Sequence, residues 1–139
     1  MVTMEKRIDS LSKRIDSSYS PGLGEFMISI QMHHSKLWFA GKNGNWELAN
    51  FELGEIRETL DVINRFNTDR QEIRQIPMID LPLDSLKYAI SKKDHAGFSR
   101  SFIFLTNTCN SCHQLTNHKF NKIIIPDSPP VTNQVFDNR

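Results

Sequence analysis

Cys109-Asn110-Ser111-Cys112-His113 places two thiols three residues apart, with an imidazole directly after the second. This C-x-x-C-H spacing is the attachment pattern of c-type haem. On a helix, cysteines at i and i+3 share a face, so both sulfurs can reach two vinyl groups on one side of a porphyrin. His113, four residues after Cys109, projects from the next turn, where an imidazole nitrogen can meet the iron. The chain has only two cysteines and five histidines, so a shuffled sequence would contain the pattern on the order of once in a thousand trials.

Other chemistries use the same residue types. A thioredoxin-like pair favours a helix N-terminus after a strand, where the dipole lowers a thiol; Cys109 and Cys112 fall well inside a predicted helix. A structural zinc ion requires four ligands, and His118 would need a distant histidine to complete a set. Two silent, buried cysteines are the third alternative.

The elements that must position these residues are read from apolar spacing. Residues 4–18 carry Met4, Ile8, Leu11 and Ile15 on one narrow seam, with the five-residue echo Lys6 to Ser10 and Lys13 to Ser17. This predicts an amphipathic helix, closed by Ser20-Pro21-Gly22, that docks on the body or pairs two chains; docking is the favoured expectation because two heptads are short for a coiled coil. From Gly24 to Ala40, Phe26/Met27, Ile30 and Leu37/Trp38 recur at helical spacing. Gly41 to Gly44 stop that helix, and Asn45 caps the next, Trp46 to about Phe66, through Ala49/Phe51, Leu53, Ile56, Leu60 and Ile63. Pro77 and Pro82 interrupt a third pattern, which resumes from Asp84 to Lys92. A fourth runs from about Asp94 to His118 through Phe98, Phe102, Leu105, Cys109, Cys112 and Leu115. From Phe120 the prolines predict an extended tail. The expected organisation is one all-α domain: an N-terminal helix (1–20), an antiparallel four-helix bundle (21–119) holding haem, and a Pro-containing tail (120–139). Nine Phe, two Trp and the methionines would line the porphyrin faces.

Composition narrows the function classes. Hydrophobic residues make up 38% and charged residues 24% of the 139, with 17 basic against 16 acidic side chains. Neither a disordered polyelectrolyte nor a nucleic-acid binder driven by net charge is expected, and no transmembrane segment is expected. Charge arrives by Glu5 with no apolar stretch following, so no secretory signal is visible. Covalent haem attachment is completed outside the cytoplasmic membrane, and the expectation is a periplasmic or otherwise extracytoplasmic protein whose signal has been removed.

A bundle carrying C-x-x-C-H on its last helix resembles the cytochrome c-prime and cytochrome c556 group over Gly24 to about Lys119. In that family the first bundle helix faces the distal side of the iron, and Met27-Ile28-Ser29-Ile30 is similar to the family's distal methionine region. The resemblance thus implies one covalent haem c per chain, held by Cys109 and Cys112, with His113 and Met27 as axial ligands. The blocks Tyr19 to Glu25, His34 to Gly41, Asn45 to Ala49 and Ile125 to Pro130 are similar to a branch of bacterial haem proteins of this kind to which no activity is attached. Where the family usually has an aromatic and a basic residue three and four positions after the haem histidine, this chain has Thr116 and Asn117.

His34 shares the helical stripe Met27, Gln31, His34, Trp38 and is the rival distal ligand; an open distal position is the third option. His33 lies off that stripe, and Met32 is expected in the core. Lys36 and Arg57 are candidates for pairing with haem propionates. The functional expectation is one-electron transfer with redox partner proteins, as a monomer or homodimer and not an enzyme, since no nucleophile–base pair or phosphate loop is found. The alternatives are a five-coordinate haem protein that binds a diatomic gas and a haem-free helical interaction domain using the 4–18 seam.

Overall fold

A computed structural model describes residues 3–18, 22–67 and 70–139, and for 12–18 the backbone only. The described residues form α-helices α1 (Met4–Ser18), α2 (Leu23–Lys42), α3 (Trp46–Phe66), α4 (Asp80–Ser91) and α5 (His95–Leu115), with a 3-10 segment at Gln71–Ile79 before α4. There is no strand among them.

The boundaries follow local chemistry. Gly44 takes φ +72°, a left-handed conformation that costs glycine little, and so reverses the chain between α2 and α3. Asn45 then accepts a hydrogen bond from the Leu48 N–H at 3.2 Å and caps α3. Asp94 does the same for α5 through the Gly97 N–H at 3.0 Å, directly after Lys93 at φ 53°. Two expected boundaries are corrected. Helix α4 starts at Asp80, four residues earlier than Asp84, because Pro82 sits in the first turn, where a missing N–H breaks no intrahelical bond. Helix α5 stops at Leu115, short of His118, because Asn117 turns left-handed at φ 63°.

Helix α2 packs on α3, α3 on α4, α4 on α5 and α5 on α2, while the 3-10 segment lies against α3, α4 and α5. The core is the inner apolar stripe of each: Ile30 and Leu37; Leu53, Ile56 and Ile63; Leu83 and Leu86; Phe98, Phe102 and Leu105. Phe51, expected inward, is exposed, since it lies off the Ala49, Leu53, Ile56 face of α3. Trp38, Trp46, Phe98 and Phe102 pack on one another: Trp38 stacks on Phe98 and packs on Phe102, and Trp46 meets Phe98 edge-on. They fill the end of the core remote from the cysteines.

Met4, Ile8 and Leu11 of α1 are 71%, 56% and 55% exposed, so this part of the seam does not dock on the body. One apolar residue per turn, flanked by Lys6, Arg7 and Asp9, offers too little surface to hold a helix down. The Ile15 side chain and the Ser20-Pro21 stop lie outside what is described. The tail beyond α5 has no regular secondary structure yet is tied to the body. Phe136 is buried against Phe39, Asn45 Nδ2 donates to the Asp137 carbonyl at 3.2 Å, and Asn138 Nδ2 donates to that of Gly44 at 2.7 Å.

Gly41, expected as part of the helix stop, lies inside α2 with the Phe98 ring where a Cβ would stand. Gly41→Ala is expected to force α2 and α5 apart and lower stability by about 1–3 kcal/mol, read as a lower midpoint in urea unfolding.

Candidate functional site

At about 100° per residue, Phe98, Phe102, Leu105, Cys109, Cys112, His113 and Thr116 fall on one flank of α5. Cys112 is buried, while Cys109 and His113 are half-buried; both thiols are free. Burial pushes the Cys109 thiol up to about 12, helped by the neighbouring Cys112. It raises Cys112 as well, with the Glu72 carboxylate adding to the effect. Both sulfurs are therefore neutral near pH 7, the reverse of the depressed thiol that a dithiol redox centre needs, and they occupy the C-terminal end of α5, where the dipole opposes a thiolate. No group of three or more His, Cys, Asp or Glu able to hold a metal ion exists among the described residues, so the zinc alternative has no ligand set there.

The turn after α5 sets the histidine. Thr116 N–H and Oγ1 both donate to the Cys112 carbonyl, at 3.1 and 2.8 Å. Asn117 turns the chain, and the His118 N–H returns to the His113 carbonyl at 2.6 Å. Thr116 and Asn117 are thus the residues that end the helix. Asn121 arrives with its backbone carbonyl 2.6 Å from His113 Nδ1. A carbonyl only accepts, so Nδ1 carries a proton, and the neutral tautomer that this contact selects has its lone pair on Nε2. This is how ligand histidines are usually oriented in metal sites.

On α2, His34 is buried, with Nε2 2.8 Å from Thr106 Oγ1 and its ring 4.4 Å from that of Phe102. The Thr106 hydroxyl donates its one proton to the Phe102 carbonyl, so His34 Nε2–H is the donor. Desolvation lowers the His34 pKa to about 4 and keeps the ring neutral. His34 meets Thr106 and Trp38 meets Phe102, so each four-residue step along α2 matches a four-residue step back along α5. Continued seven residues the other way, this antiparallel register brings Met27 level with His113. His34 then lies about 10 Å along the axis from that level. Met27 is partly buried against the core.

Other candidates are placed elsewhere. His33 pairs with the buried carboxylate of Glu52 on α3, Nδ1 to Oε2 at 2.5 Å. Met32, expected in the core, is exposed, as is Gln31; only part of the proposed stripe faces inward. Arg57 holds Asp84 at 2.6 Å. Thr106 and Asn121 are partners of His34 and His113 that sequence reading missed, as is Glu52 for His33; the one signal for Glu52 was its place on the apolar Ala49, Leu53, Ile56 face. A polar hollow of about 420 Å³, lined by Asn107, Asn110, Ser111, Gln114, Lys119, Asn121 and Lys122, lies on the opposite side of α5 from the cysteines.

No family model, no curated protein and no solved structure matches the chain.

Protonation of His34 is disfavoured in the fold, while an unfolded histidine titrates near 6.5. Above that pH neither state carries the proton; as pH falls from 6.5 towards 4, the unfolded chain gains it first and stability is lost, by about 3 kcal/mol at most. Urea unfolding at pH 7 and 4.5 is expected to show this loss in the native chain and a smaller one in His34→Gln.

Proposed function

We propose that this chain is a mono-haem c-type cytochrome that carries single electrons, in the manner of the cytochrome c-prime and cytochrome c556 group. The observation that carries the reading is His113: it follows two neutral, same-face thiols and donates its Nδ1 proton to a backbone carbonyl, leaving Nε2 without a protein partner among the described residues. That donor set fits a covalently held porphyrin. The closed ring of contacts among α2, α3, α4 and α5 is read as the antiparallel four-helix bundle of that group, with α1 as an addition.

In this reading Cys109 and Cys112 would hold the porphyrin covalently, and His113 Nε2 and the Met27 sulfur would hold its iron. A thioether ligand would favour the reduced iron, as a carrier requires. His34 has a structural task instead, since its Nε2 proton is committed to Thr106. When bound, haem supplies a reversible one-electron couple; the protein supplies the tether, the ligands and a low-dielectric surround. The working place is extracytoplasmic and the partners are redox proteins. No described helix is long and apolar enough to cross a membrane.

Protein made in a cytochrome-maturation host is expected to keep its haem through acid-organic extraction, and Cys109→Ala/Cys112→Ala to lose it. Haem that extracts fully, or no haem at all, overturns the assignment and favours the haem-free interaction domain. The ferric spectrum is expected to be low-spin, turning high-spin in Met27→Ala and staying low-spin in His34→Gln. Loss of the low-spin form only on substituting His34 would transfer the role to it. A native protein already high-spin and binding carbon monoxide would favour the gas-binding reading.

A further inference from the structure

Asn110, the first spacer between the two cysteines, makes a two-point contact with the tail: its Nδ2 donates to the Ile123 carbonyl at 2.8 Å, and its Oδ1 accepts from the Ile123 N–H at 2.7 Å. A side-chain amide gripping both polar groups of one backbone residue fixes that residue in position and orientation, as a strand neighbour would. Two residues earlier in the same segment stands Asn121, whose carbonyl takes the His113 Nδ1 proton. Asn110 and His113 are three apart on α5, and Ile123 and Asn121 two apart on the tail. The four form a short ladder between helix and strap. On the other side of Asn121, its N–H donates to the His118 carbonyl at 2.9 Å, so the carbonyl that orients His113 is held from both directions.

We propose that Asn110 is a positioning residue that latches residues 120–125 onto α5, so that the Asn121 carbonyl keeps His113 with Nδ1 protonated and Nε2 available. Its importance to a haem rests on the function proposed above; the latch itself does not. Beyond Ile123, Ile125 packs against the core and the far end of the tail is tied down at Gly44 and Asn45. Without Asn110 the strap keeps those anchors, and the segment facing His113 is the part released.

The test uses the full chain made without haem, and the same chain matured with haem. In the haem-free chain, nitrogen NMR of the histidine rings is expected to show the Nδ1–H tautomer for His113, with the Ile123 amide protected from hydrogen exchange. Asn110→Ala is expected to lose Ile123 protection and shift His113 towards a tautomer mixture. Asn110→Asp retains the acceptor and loses the donor; it is expected to fall between the two and to fold if the alanine variant does not. In matured protein, a weaker bond at Nδ1 makes the ligand less electron-rich, so the midpoint potential is expected to move upward in both variants. An unchanged His113 tautomer in a variant that has lost Ile123 protection overturns the proposal. Failure of the native chain to hold haem, with the tautomer responding as described, overturns the cytochrome reading and leaves the latch standing.

Discussion

The inward flank of α5, from Phe98 to Thr116, is the surface that three other elements share. Helices α2 and α4 and the 3-10 segment all pack against this helix. Its N-terminal half presents aromatic rings to Trp38 and Trp46, and its C-terminal half presents Cys109, Cys112 and His113. One helical stripe therefore has two parts, close aromatic packing at one end and the two thiols and imidazole at the other, and His34 with Thr106 marks the border between them.

Desolvation on that flank acts in opposite directions on the groups it covers. It raises both thiols and lowers the His34 imidazole, and in each case the neutral form is retained because charge is costly away from water. Buried polar atoms there are matched one by one: His34 to Thr106, Thr106 to the Phe102 carbonyl, Thr116 to the Cys112 carbonyl. Glu52, almost wholly buried on α3, meets His33. These pairings specify one arrangement of helices whose apolar stripes alone would tolerate sliding.

The tail has no regular secondary structure and is nonetheless tied to the body at several points. It leaves α5 through the left-handed Asn117, passes His113 and Asn110, and ends beside the α2–α3 turn. Since Trp46, at the start of α3, lies against His95 at the start of α5, the tail runs back along the length of that helix. Its hydrogen bonds go to side-chain amides, the His113 ring and loop carbonyls, which is how extended backbone is satisfied where no strand partner exists.

Much of the architecture was legible because its causes are local. Asn45 and Asp94 announce helix starts through caps three residues long, Gly44 announces a reversal, and C-x-x-C-H carries its own geometry within two turns. Pro82 misled because proline breaks a helix interior and suits a first turn, and which of these applies depends on where the helix begins. Apolar periodicity put Leu37, Leu53, Ile56, Leu86 and Phe102 inside. It could not say that Met32 would face out, that the described part of the Met4, Ile8, Leu11 seam would stay exposed, or that His33 would find Glu52. Those outcomes, like the hold of Asn110 on Ile123, depend on the register between segments far apart in sequence. A helical period defines a face and leaves open which residue of another element stands opposite; packing of the whole core chooses that partner.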